Sequence, residues 1–253
     1  MNENKYTLFV CSDIHSAYTP WMRALNEARF DENNPCHKIV VCGDLFDRMD
    51  ESLQVYEFVK DMLDRDKLIY ILGNHESLMV DCVERKYPAR HDWSNGTAKS
   101  IIDLAPHAEN FYDACTVVYE KMKPLLNMAV NYLETKNYIF VHSFIPLKCN
   151  DDLPVYYIKN RKFEFNPDWR HAHYSEWERA RWGDPFELAK QGFLPEKTLV
   201  FGHWHTYGQR PADYEGDDLF DPIYGDGYIG IDATTALSGK VNVLVIEDEF
   251  LEE

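Results

Sequence analysis

The sequence predicts an α/β fold built on a parallel or mixed sheet. Three observations carry this reading. Short apolar runs rich in β-branched and aromatic residues recur along the chain and end at Gly or polar residues, as buried strands do. Helical patterns alternate with the first three of these runs. Five of the runs stop at potential metal ligands: YTLFVCS at Asp13 and His15, KIVVCG at Asp44, LIYILG at Asn74 and His75, YIFV at His142, and TLVFG at His203 and His205. In open α/β sheets, chemistry gathers at the carboxyl ends of strands.

In order along the chain, residues 6–12 read as the first strand. Pro20 to Phe30 reads as a helix, with Trp21, Ala24, Leu25 and Ala28 at helical spacing. Residues 38–42 form the second strand. Asp50 to Asp64 reads as a helix that turns Leu53, Tyr56, Val59 (or Phe58) and Leu63 inward. Residues 68–72 complete a βαβαβ rhythm. From 77 to 136 the pattern is mostly helical, with breaks expected at Pro88, Asn95-Gly96, Pro106 and Pro124, and it reads as a helical insertion capping the site. Residues 146–195 read as a second, loop-rich insertion, and strands return at 198–201, 227–232 and 240–246. Residues 1–253 are expected to form a single domain.

Forty-three acidic residues against twenty-six basic ones give a formal charge of −17, which disfavours a nucleic-acid partner because such binding needs cationic contacts. The same charge repels phosphate at long range, so a phosphate-handling site must be locally positive, as metal ions would make it. No apolar stretch approaches a membrane span, and the N-terminus lacks the pattern of a signal peptide. The six cysteines contain no C-x-x-C pair and read as reduced thiols. Together these features point to a cytoplasmic protein.

Each motif has a bland alternative. Asp13-Ile-His15 offers a carboxylate and an imidazole suited to a borderline divalent cation, although such a sequence is often only a capped turn. In Gly43-Asp44-Leu-Phe-Asp47-Arg48, Asp44 can bridge two cations, Asp47 can orient a histidine, and Arg48 can grip phosphate oxygens. The alternative there is a surface ion pair. Gly73-Asn74-His75-Glu76 supplies a neutral oxygen ligand beside a histidine free to act as an acid, or else a capping Asn with a loop His. Gly202-His203-Trp-His205 places two imidazoles two residues apart, on one side of an extended segment. His171-Ala-His173 has the same spacing but no strand before it, and reads as a solvated or substrate-side pair.

The order of these motifs, spanning residues 13 to 205, resembles that of the calcineurin-like metallophosphoesterase superfamily. The likeness is closest to its PPP-type branch, the bacterial and phage serine/threonine phosphatases and the symmetrical diadenosine tetraphosphatases. Asp47-Arg48, the Gly-Asn-His-Glu motif, WSNGT at 93–97, YIFVHSFIP at 138–146 and IGIDATTALSGKVNVLVIED carry it. The chain differs from that branch in the serines flanking the first motif, in Leu72 before Gly-Asn-His-Glu and in the second histidine of the last motif. The resemblance implies a β-sandwich of two mixed sheets flanked by helices, with a helical cap. It also implies two divalent ions (Mn, Fe, Co, Ni or Zn). Asp13, His15, Asp44 and His205 would hold the first, and Asp44, Asn74, His142 and His203 the second. Arg48 and Asn74 would meet phosphate, joined by Arg179 or Arg181 from EWERARWGDP.

These expectations converge on a phosphoesterase in which His75, oriented by Asp47, protonates the leaving oxygen. The substrate expected first is a phosphate monoester of the phosphoprotein type, and the alternative is a diadenosine polyphosphate or other nucleotide. For the latter, Trp93, Tyr156, Tyr157, Trp169 and Tyr174 are candidate base-stacking residues. A non-catalytic scaffold of the same fold is the remaining reading, and the joint presence of every ligand, the acid and the arginine weighs against it.

Overall fold

The computed structural model describes residues 5–149, 162–210, 214, 216 and 218–251. The chain opens with strand β1 (Lys5–Cys11), helix α1 (Tyr18–Glu27), β2 (His37–Cys42), α2 (Ser52–Asp64) and β3 (Leu68–Ile71). Four helices follow: α3 (Asn74–Arg85), α4 (Arg90–Asn95), α5 (Thr97–Leu104) and α6 (Phe111–Met128). Then come β4 (Leu133–Glu134), β5 (Tyr138–Phe140), β6 (Lys148–Cys149), β7 (Phe163–Glu164), α7 (Tyr174–Ala180) and α8 (Pro185–Lys190). The chain closes through β8 (Thr198–Phe201), β9 (Ile223–Gly225), β10 (Tyr228–Gly230), α9 (Thr235–Ser238) and β11 (Leu244–Glu249).

Two mixed sheets organise the molecule, in the orders β11-β1-β2-β3 and β4-β5-β8-β10-β9. Strands β1, β2 and β3 run parallel in the first, and β5, β8 and β10 run parallel in the second. Antiparallel strands occupy the edges. Side-chain alternation explains the layering. Leu8, Val10, Val40 and Cys42 face Phe140, Val200 and Ile231 in a core between the sheets. Their neighbours Phe9, Cys11, Ile39 and Val41 face the other way, onto the helices of the first half. Ile139, Val141, Leu199 and Phe201 turn outward beneath Trp169, Trp177 and Phe186. The result is a sandwich of two sheets flanked by helices, with the carboxyl ends of six parallel strands available to one cleft.

The expected helical stretch after residue 77 is present, with one correction. Pro124 was expected to break it and instead lies inside α6. The buried face of that helix, Ala114, Cys115, Val118, Met122 and Leu125, runs past the proline. Packing along this face outweighs one lost backbone hydrogen bond near the helix end. In the second insertion, expected to be loop-rich, the described residues include two short helices. The last strand starts at Leu244, not residue 240. Ahead of it Asn242 donates to Phe220 O and Ile231 O at 2.7 and 3.0 Å, and Lys240 pairs with Asp218 at 2.9 Å. Side-chain contacts thus fix the segment before its ladder with β1 begins. Among the described residues no helix is long and apolar enough to cross a membrane.

Candidate metal and active site

Every predicted ligand sits just beyond a strand that ends at the cleft. Asp13 and His15 follow β1, Asp44 follows β2, Asn74 and His75 follow β3, His142 follows β5, and His203 and His205 follow β8. The connecting backbone turns sharply. Asp13, His15, Ser16, Asp44, Asp47, Arg48 and His203 all have positive φ, between 50° and 78°. Such conformations are uncommon outside glycine and cluster at functional sites. At Gly43 (φ +80°) an added Cβ would lie 2.5 Å from His142 Nδ1 and 2.6 Å from Gly73 Cα. Only glycine lets the two sheets' loops close up there.

Two groups of donor atoms result. His142 donates Nδ1–H to Cys42 O at 2.8 Å, and burial holds its ring below the ordinary pKa, so Nε2 presents a lone pair. That lone pair faces Asn74 Oδ1 at 2.8 Å, His203 Nδ1 at 3.2 Å and Asp44 Oδ1 at 3.5 Å. His15 likewise donates Nδ1–H to Phe46 O at 3.0 Å, which turns Nε2 to within 3.8 Å of both Asp13 Oδ1 and Asp44 Oδ2. Asp44 belongs to both groups. Backbone carbonyls that fix a tautomer so that the other nitrogen points inward are the usual support of a metal-binding histidine.

The electrostatics agree. Burial, with Asp232 adding to it, raises the Asp13 carboxyl well above the ordinary range. Burial raises Asp44 as well, against the pull of His75, and it raises Asp232. His15 and His203 are pushed down, first by burial and then by the neighbouring imidazoles and the Arg48 guanidinium. Buried carboxylates resisting charge beside imidazoles resisting protonation form a donor set that divalent cations would neutralise. The convergence of these donor atoms fits such ions, and the mixture of imidazole nitrogen and carboxylate oxygen suits borderline metals.

Next to these groups, His75 Nδ1 donates to Asp47 Oδ2 at 2.7 Å. Burial alone would depress His75, but the Asp44 charge and the bond to Asp47 overcome it and push the imidazole up to about 9. Arg48 donates from Nε to His15 Nε2 at 3.3 Å, and its Nη2 lies 3.3 Å from His75 Nε2. Asp13, His15, Asp44, Arg48, Asn74, His75, His203 and His205 thus line one open cleft of about 440 Å³, with Leu78, Asn95 and Trp182.

Some expected residues are placed elsewhere. Arg181 is buried, donates to Asn131 Oδ1 at 2.6 Å and lies 5.4 Å from the Tyr174 ring centre. Arg179 lines a different hollow with Phe144, Glu176 and Leu188. Neither is in the lining of the cleft. Trp169 is core, packed on Tyr132 and Trp177, while Trp93 and Tyr174 are exposed. Tyr156 and Tyr157 lie outside the described residues. His173 is exposed and caps α7 by accepting from Ser175 N.

Three residues escaped the sequence reading. Asp232 follows β10 and lies 3.8 Å from His205 Nε2. The run YIGI stopped by an acid was the same signal that marked the other five strands. Trp182, with its ring centre 6.1 Å from that of His203, is the tryptophan of the cleft wall, and no local pattern marked it. Glu76 is buried and accepts backbone N–H groups from Gly73 at 2.7 Å, Asp44 at 3.1 Å and Leu45 at 3.0 Å. It was visible as the last letter of a motif, without a role.

Comparison with known proteins fits this geometry. Symmetrical bis(5'-nucleosyl)-tetraphosphatases from Thioalkalivibrio sulfidiphilus and Nitrosospira multiformis are each 29% identical to the chain, over 103 and 130 residues. These alignments span 41% and 50% of this chain but only 36% and 41% of the relatives' own length. A protein serine/threonine phosphatase from Saccharomyces cerevisiae shares the fold, with a TM-score of 0.53 and 12% identity over 98% of this chain and 81% of that one. The sequence profile of the calcineurin-like phosphoesterases matches residues 6–218, and the chain belongs to that family.

Proposed function

We propose that this chain hydrolyses phosphate esters at a centre of two divalent cations. The observation that carries this reading is the convergence of two donor groups on Asp44 within reach of the His75–Asp47 pair and Arg48. Asp13, His15, Asp44 and His205 would hold one ion, and Asp44, Asn74, His142 and His203 the other. When bound, such ions polarise the phosphoryl group and activate water.

The protein's own residues supply the rest. Arg48 offers a planar fork to the phosphoryl oxygens and is the nearby positive charge that a dianion meets in an acidic protein. His75 gives a proton to the departing oxygen as the bond to phosphorus breaks, while Asp47 keeps Nδ1–H in place through transfer. Arg179 and Arg181 are not in the cleft lining, so phosphate recognition in this reading falls on Arg48 and Asn74.

A phosphomonoester of the phosphoserine or phosphothreonine type is the first substrate class, in keeping with the shared fold of the yeast phosphatase. Dinucleoside polyphosphates are the second, favoured by the two named relatives and by Trp182, an indole in the cleft wall on which a base can stack. The deciding experiment is a screen of phosphoserine peptides, dinucleoside polyphosphates and p-nitrophenyl phosphate with Mn, Ni, Co or Zn. Metal-dependent turnover supports the reading, and its ratio between substrates chooses the class. Metal-loaded protein inert on all three would instead favour the scaffold.

A further inference from the structure

The helical cap touches the acid pair directly. Between α4 and α5 stands Gly96, at φ +94°, where an added Cβ would lie 2.3 Å from Arg48 N and 2.9 Å from Arg48 Cα. Only glycine lets the cap press this closely on the Asp47–Arg48 backbone. The next residue, Thr97, is fully buried, and its Oγ1 donates to Asp47 Oδ2 at 2.7 Å. The same oxygen takes the Nδ1–H of His75 at 2.7 Å. One turn on, Ser100 Oγ accepts the Asp47 N–H at 2.9 Å.

Asp47 is fully buried, and its other carboxylate oxygen, Oδ1, has no partner among the described residues. Its side chain is therefore held by two donors on one oxygen, one from the acid and one from the cap. Ser100 fixes the main chain of Asp47 but leaves the carboxylate free to rotate about Cβ–Cγ. Without the Thr97 hydroxyl, only His75 itself would orient the group that orients His75.

We infer that Thr97 is a positioning residue of the acid: its hydroxyl locks the Asp47 carboxylate so that His75 keeps Nδ1–H toward Asp47 and Nε2 toward the cleft. This rests on the phosphoesterase reading for its chemistry, in which His75 gives its Nε2 proton to the leaving oxygen and returns to a neutral ring that retains Nδ1–H. It assigns the cap a part in catalysis that needs no movement. It also explains why asparagine, glycine and threonine stand together at 95–97: Asn95 lines the cleft, Gly96 permits the approach, and Thr97 makes the bond.

Thr97→Val keeps the shape and removes the donor, and Thr97→Ser restores the donor. Each is measured against the unaltered protein in two ways. Turnover of a phosphoserine peptide, whose leaving group needs the proton, should fall about tenfold further in Thr97→Val than turnover of p-nitrophenyl phosphate. Thr97→Ser should recover most of that difference, at equal metal content. In metal-free, histidine-labelled protein, the low-field Nδ1 proton of His75 should broaden or vanish in Thr97→Val and return in Thr97→Ser. Equal losses on both substrates would reduce Thr97 to an anchor for α5. An unchanged Nδ1 proton in a folded Thr97→Val protein overturns the inference whatever the activities are. If the unaltered protein hydrolyses nothing, the functional reading fails, and the proton signal still decides the role of Thr97.

Discussion

Replacing Glu76 by alanine should damage the centre more than any exposed change nearby, although Glu76 itself is not in the lining of the cleft. Its carboxylate is buried, with Oε2 serving Gly73 N and Asp44 N and Oε1 serving Leu45 N. Removing it strands three buried N–H groups. Each unsatisfied donor costs about 1–3 kcal/mol, and water entering the space left behind recovers part of that, so a loss of about 3–6 kcal/mol follows. Domains of this kind are stable by about 5–15 kcal/mol, so the variant should sit close to unfolding. Glu76→Gln gives the graded control. Its amide oxygen can satisfy one side of the loop, but its NH2 meets an N–H on the other, for a loss of about 1–3 kcal/mol. Urea denaturation with excess chelator reads both values free of metal linkage. Because Asp44 stands at positive φ and is held by this carboxylate, metal affinity should fall in the same order. If Glu76→Ala lost less than about 1 kcal/mol and bound metal like the unaltered protein, the three bonds would not be holding the loop.

The remaining predictions concern the chemistry. His75→Asn should depress turnover of phosphoserine peptides by about 10²–10⁴-fold while sparing p-nitrophenyl phosphate by comparison, and equal losses in parallel kinetic assays would remove His75 as the acid. Asp44→Asn withdraws a charge shared by both donor groups, so elemental analysis should find less than full metal loading, not merely a slower enzyme. In the chelated protein the folded state holds the His75 proton up to about 9 instead of the ordinary 6.5, so that stabilisation is complete below about 6.5 and is lost as pH rises toward 9. The raised Asp13, Asp44 and Asp232 carboxyls slope the same way, whereas His15, His142 and His203 weaken the fold only as pH falls below their ordinary range. Thermal melts from pH 7 to 9 should therefore decline, and His75→Asn should flatten the decline. A melt that rises with pH would contradict it.

The framework was legible because its signals are local. Strands β1, β2, β3 and β8 announce themselves as short apolar runs rich in β-branched and aromatic residues, and the ligands through what stops each run. What escaped the reading depends on neighbours distant in sequence. Trp182 reaches the cleft while Arg179 and Arg181, three and one residues earlier, do not. The turn at the end of α7 decides this, and no composition rule reports it. The Thr97–Asp47 bond joins residues fifty apart. Pro124 misled because propensity is a weaker force than a buried helix face. Asp232 differs: the run YIGI before it carries the same local signal as the other ligand-bearing strands.

The left-handed residues of the cleft loops bear on whether this centre can be moved to another protein. Copying its histidines and aspartates onto a relaxed scaffold would reproduce the side chains without the bends at Asp13, His15, Asp44, Asp47 and Arg48 that aim them. Those bends are held by contacts from both sheets and from the cap, so the smallest unit that can be transplanted is nearly the whole domain. Recruitment to new substrates should then proceed at the walls, through positions such as Trp182, Leu78 and Asn95, while the backbone beneath stays fixed.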